Sequence, residues 1–166
     1  VSQVQFDTDS AIFNDTPTVS YTFNRNIVAL HVSQSSGILT GLFYKASNTN
    51  PFAVGRLSPT TSGGKITGWP FASMTFNDVT NLPIDLSNPI NYLKVSLIAN
   101  DQSSSVVLIC DGVAKQLYEV SGSGGAATVI AMPNDNYQPI GIAINDIVPY
   151  STTQEVHIAA DYNAPV

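Results

Sequence analysis

Charge is scarce in this chain. Only 11% of its 166 residues are Asp, Glu, Lys or Arg, where a globular protein ordinarily carries about a quarter. The six basic residues, Arg25, Lys45, Arg56, Lys65, Lys94 and Lys115, stand apart from one another, and twelve acidic ones outnumber them to give a net charge of −6. A phosphate backbone would find no cationic track here, so nucleic acid is not expected as a partner. No apolar run approaches the length of a membrane-spanning helix and no basic-then-apolar leader opens the chain at Val1, so no membrane partner is expected either.

The residue types that carry chemistry are equally sparse. The single cysteine, Cys110, ends the apolar run Val106-Val107-Leu108-Ile109, where a thiol packs as a small hydrophobe; it cannot form an internal disulfide. His31 and His157 are the only histidines, without His-x-His, His-Glu-x-x-His or Cys-x-x-Cys spacing, so a metal site lacks its usual nitrogen and sulfur ligands. Asp7 with Asp9, and Asp135 between Asn134 and Asn136, could offer oxygens to calcium, but Asx residues in turns explain both clusters more simply. Glu119 and Glu155 are the only glutamates, and no acidic pair sits among aromatics as the two carboxylates of a glycosidase would. No serine lies in Gly-x-Ser-x-Gly, and Ser121-Gly122-Ser123-Gly124-Gly125 lacks the lysine of a phosphate loop. An enzyme is the least expected class, and no catalytic residue, cofactor or metal is assigned.

Helical spacing is missing too: nowhere do apolar residues hold i, i+3, i+4, i+7 over three turns. What remains is a strand grammar. Val19, Tyr21 and Phe23 alternate with Thr18, Ser20 and Thr22, which predicts a half-buried strand; Asn24-Arg25-Asn26 breaks it and Ile27–Val32 resumes, as in a hairpin. Gly37–Tyr44 reads as a third strand, with Gly41 marking a bulge or a close approach of another backbone. A short strand fits Phe52–Leu57. Three prolines make the stretch from Trp69 to Pro89 a long excursion around one strand near Ser73–Phe76. Tyr92–Ala99 and Val106–Cys110 predict a hairpin. Strands are then expected over Ala114–Val120, Ala126–Met132, Pro139–Ile144 and Gln154–Ala160, separated by tight turns.

Strands at intervals of about ten residues, punctuated by Gly, Pro, Asn and Ser, indicate an all-β fold. The reading is a β-sandwich or jelly-roll-like portion over residues 1–105, followed by a small β-barrel or hairpin module over 106–166, with one continuous domain as the other possibility. Neutral Ser, Thr and Asn form the surface that charge does not, which suits faces pressed against another protein.

The C-terminal third adds a likeness. Leu117-Tyr118-Glu119-Val120, the glycine turn, Thr128-Val129-Ile130, Gln138-Pro139-Ile140-Gly141-Ile142-Ala143 and Gln154-Glu155-Val156-His157-Ile158 together resemble tailed-phage capsid decoration and head-fibre base proteins. The resemblance implies a non-enzymatic structural protein on the virion surface. Its partners would be capsid protein and copies of itself, with a homo-oligomer, a trimer by preference, as the assembled form.

Two other classes fit the same sequence: a carbohydrate-binding β-sandwich, and a jelly-roll coat protein or extracellular filament subunit in which Val1–Phe6 or Ala159–Val166 adds a strand to a neighbour. For the first, Trp69 with Phe71 in a loop-rich region could form a platform for a surface glycan, though Trp69 as a plug for one end of the sandwich is the preferred reading. Tyr137 completes the possible binding surface, and Tyr44, Tyr92, Tyr150 and Tyr162 could line an interface. Asn14-Asp15-Thr16 is a glycosylation sequon only on a secretory route.

Overall fold

The computed structural model describes residues 6–7, 12–13, 21–33, 36–99, 106–145 and 155–163. Its strands, in chain order, are β1 (Phe6–Asp7), β2 (Ile12–Phe13), β3 (Asn26–Val32), β4 (Leu39–Tyr44), β5 (Phe52–Leu57), β6 (Thr60–Ser62), β7 (Lys65–Gly68), β8 (Phe76–Thr80) and β9 (Val95–Ala99). There follow β10 (Val106–Asp111), β11 (Gln116–Ser121), β12 (Gly125–Ala126), β13 (Thr128–Ile130), β14 (Tyr137–Asn145) and β15 (Glu155–Tyr162). Two short 3-10 turns, Phe71–Ser73 and Pro89–Lys94, are the helical elements among the described residues. The fold is all-β and sandwich-like, as the strand grammar indicates, and among the described residues no sheet closes into a barrel.

Two sheets face each other. The first is five-stranded, in the order β12-β8-β5-β4-β3, and the second four-stranded, in the order β13-β11-β10-β9. Between them lies the principal core: Val28, Leu42, Phe52, Val54 and Val79 from the first sheet against Leu97, Val107, Ile109, Tyr118 and Val120 from the second. The division expected near residue 105 falls between β9 and β10, which are antiparallel neighbours in one sheet. Residues 106–130 therefore complete the sandwich, and the two-stranded pairs β1–β2, β6–β7 and β14–β15 lie outside its two sheets.

The central strands of the first sheet, β4 and β5, are buried on both faces. Leu39, Phe43 and Leu57 on the sheet's outer face pack beneath Phe71 and Met74, with Tyr21, Phe23, Ile27, Trp69 and Phe76 around them. This double cover explains why β4 and β5 read as nearly continuous apolar runs rather than alternations. Gly41 and Gly55, directly paired across β4 and β5, leave room for the ring of Phe43 and the thioether of Met74. The neighbours that crowd Gly41 are side chains, Phe43 and Leu30, and not another backbone, and the bulge lies on β3 between Ile27 and Ala29 instead of at Gly41.

Several strand expectations need correction. Tyr21–Phe23 is not in a strand; its aromatic rings cover the first sheet, and β3 pairs with β4 instead. Thr18–Ser20 lies outside the described residues. The excursion strand runs over Phe76–Thr80 rather than Ser73–Phe76, because Phe71–Ser73 takes a 3-10 turn. Tyr92–Lys94 also belongs to a 3-10 turn, begun by Pro89 and capped by Asn88, whose side chain accepts a bond from the Ile90 N–H. Ala126–Met132 is not one strand: Gly125–Ala126 runs parallel to β8 in the first sheet, whereas Thr128–Ile130 pairs with β11 in the second. The chain changes sheets at Ala127, whose N–H bonds the Thr80 carbonyl. Gly124 and Gly125 make the preceding corner at φ +86° and +107°, backbone that favours glycine.

Candidate functional site

The ribbon β14–β15 is the feature that sets this sandwich apart. Its strands pair from Tyr137↔Tyr162 to Asn145↔Glu155, with a register shift at Ile140. Because directly paired residues share a face, Tyr137, Pro139, Ile142, Val156, Ile158, Ala160 and Tyr162 stand on one side. None of these residues is charged. β14 packs against β9, β10 and β11, while β15 packs chiefly on β14.

The docking is made by backbone as much as side chains. The Ile142 N–H donates to Ser96 Oγ at 3.3 Å. A Cβ on Gly112 would meet the Lys94 carbonyl oxygen at 2.8 Å and that of Ile140 at 2.9 Å, so only glycine allows this approach. Ser96 and Cys110 are cross-strand partners, and Cys110 is fully buried. Burial, and secondarily the charge of Asp111, pushes the Cys110 thiol up to about 11, which leaves it a neutral packing group at physiological pH.

Beyond the sandwich the apolar side is partly exposed: Val156 and Ile158 are each 39% exposed and Tyr162 56%. Lys115, held at φ +55° in the turn before β11, reaches across to Asp161 at 3.0 Å. At the root of the ribbon, Tyr137 and Tyr162 pack ring to ring at 5.0 Å. Next to them opens a cleft of about 350 Å3, walled by β11, β13 and the start of β14.

The three residues singled out in the sequence do not converge. Trp69 is half-buried against the outer face of the first sheet, and its indole N–H donates to the Gly37 carbonyl at 2.8 Å. Phe71 is buried beside Tyr21 and Phe23. Tyr137 sits on the ribbon that packs on the second sheet and is 44% exposed. Tyr44 and Tyr92 pack against each other and the principal core; Tyr150 lies outside the described residues.

His31 lies in β3 and His157 in β15, and no group of three His, Cys, Asp or Glu side chains gathers as metal ligands among the described residues. Asn134 accepts the Asn136 N–H at 2.9 Å, the Asx turn anticipated around Asp135. Asp9 and the sequon at 14–16 lie outside the described residues, as do Val1–Gln5, while Ala159–Tyr162 is already paired within the ribbon. No helix among the described residues is long and apolar enough to cross a membrane. Of the polar lining of the root cleft, Asp135 stands out in the sequence only as part of an Asx cluster, while Gln116 and Gln138 carry no signal, because isolated amides in turns and strand ends are common. No protein-family model, curated protein or solved structure matches the chain.

Proposed function

We infer that the protein is a non-catalytic assembly subunit of a virion surface, of the capsid-decoration or head-fibre kind, which self-associates and docks on a protein lattice. The observation that carries this reading is the partly exposed, uncharged apolar side of the ribbon. A two-stranded ribbon alone is at best marginally stable in water. Here β14 gains cover from the second sheet, but Val156, Ile158 and Tyr162 on the same side stay 39%, 39% and 56% exposed, with β14 as the chief element that β15 packs on among the described residues. Copies of a chain with net charge −6 can meet on this uncharged side without opposing like charges, which would otherwise oppose association.

The capsid as the lattice is supported by the resemblance of residues 117–158 to phage head proteins and by the low overall charge. Immunogold labelling of particles purified from the source tests it. Gold at regular positions on particle surfaces is expected. Gold confined to unassembled material would reject the virion role and leave self-association standing as a separate matter.

A further inference from the structure

The root cleft is set apart from the far end of the ribbon. It lies at the opposite end of the ribbon from Val156, about 20 Å away along β15 at ~3.3 Å per residue. Its volume, about 350 Å3, falls within the range of small-ligand sites. Tyr137, 44% exposed, lines one wall. Around it stand Gln116, Asp135 and Gln138. Gln116 and Asp135 are exposed and Gln138 half-buried, and no hydrogen bond to the described protein engages their side chains. The cation in the lining, Lys115, is already paired with Asp161, so the cleft offers little attraction to an anion.

We propose that this cleft binds a neutral hexose ring. The match is chemical. A pyranose presents an apolar C–H face, which packs on a tyrosine ring, and an edge of neighbouring hydroxyls that both donate and accept. Two amides supply paired donors and acceptors, and a carboxylate supplies acceptors only. Groups not committed to the protein need give up only water on binding. An extended peptide is the rival occupant, but the edge strand beside the cleft, β13, offers only Thr128–Ile130 for strand addition.

The test is saturation-transfer NMR of the intact chain with methyl glycosides of glucose, galactose, mannose and N-acetylglucosamine. At least one glycoside should receive saturation at the C–H protons of one ring face, with protein shifts confined to residues 114–117 and 129–139. Tyr137→Ala and Gln138→Ala should each weaken binding about tenfold or more. Gln138→Ala and the exposed Gln116→Ala keep the test decisive if Tyr137→Ala does not fold. Absence of saturation for every glycoside overturns the proposal, as does binding indifferent to Gln116, Tyr137 and Gln138. A peptide that shifts these resonances where no glycoside does overturns it as well. Gln116→Ala and Gln138→Ala leave the apolar side of β15 untouched, so their outcomes separate sugar binding from self-association.

Discussion

Gly41→Ala is the sharpest probe of how the first sheet is packed, because two effects of opposite sign compete there. Replacing a strand glycine by alanine ordinarily stabilises by about 0.4–1 kcal/mol, since the unfolded chain loses freedom. At Gly41, however, the added Cβ would lie 2.5 and 2.8 Å from Cε2 and Cζ of Phe43 and 3.0 Å from Cδ2 of Leu30. Carbon atoms pack at about 3.5–4.0 Å, so the ring must move by about an ångström. It has nowhere to go: Phe43 is fully buried and held edge-on to Phe23 and Phe76 at centroid distances of 5.1 and 4.9 Å. Overpacking should therefore win, with a net loss of about 2–3 kcal/mol. For a chain of this length that lowers the melting temperature by about 5–10 °C. Calorimetry of Gly41→Ala, Phe43→Leu and the double variant closes the cycle. Trimming the ring should recover about 1 kcal/mol or more of the alanine penalty as a coupling energy. Gly141→Ala is the contrast, with its nearest neighbour, Ala159 Cβ, at 4.0 Å; it should be neutral or slightly stabilising. A Gly41→Ala protein as stable as the parent, or strict additivity with Phe43→Leu, would refute the packing argument.

Two further outcomes follow from particular groups. Above pH 9 an unfolded chain ionises its cysteine, whereas the folded one holds Cys110 neutral up to about 11. The unfolded state then binds fewer protons, so stability falls as pH rises from about 9 to about 11. Chemical denaturation of Cys110→Ala across that range should show a shallower decline, with a residue above pH 10 from Tyr118, whose hydroxyl is also raised by burial and by Asp111; an unchanged slope would count against the burial of the thiol. Trp69→Ala should cost about 2 kcal/mol, from lost packing and an unmade bond to the Gly37 carbonyl, measured as a shift of the urea midpoint. A fully stable Trp69→Ala variant would mean that the indole is not structural.

Strand content was legible because period-two patterning and turn residues act locally. β5, β9 with β10, and β15 follow from such signals. What was not legible depends on tertiary neighbours. Tyr21 and Phe23 alternate as a strand would, yet they answer to an apolar face that needs cover rather than to a hydrogen-bonded partner. Tyr92–Lys94 continues the apolar run of β9, but Asn88 and Pro89 start a 3-10 turn that leaves Leu93 85% exposed. The apolar stretch after Gly125 conceals a change of sheet at Ala127, which depends on a parallel pairing with β8 some 45 residues earlier, Gly125 opposite Val79.

At the candidate sites the pattern is the same. The structural reading of Trp69 was available from its loop, whereas its acceptor, Gly37, is 32 residues away. Tyr137 could be picked out as a lone aromatic. Its cleft could not, because Gln116 and Gln138 meet only once the ribbon folds back on the second sheet. The ribbon itself reads in sequence as ordinary strands, and nothing local says that half of its apolar side will be left bare.

The exposed side of β15 is the central claim, and the molar mass in solution tests it most directly. Light scattering coupled to size exclusion should give a homo-oligomer for the parent chain. For Ile158→Asp, which sets a carboxylate on a side chain already 39% exposed, it should give a monomer that still unfolds cooperatively, at a lower temperature than the assembled parent. A parent chain that stays monomeric at high concentration, or an Ile158→Asp chain that keeps the parent's mass, would contradict the account.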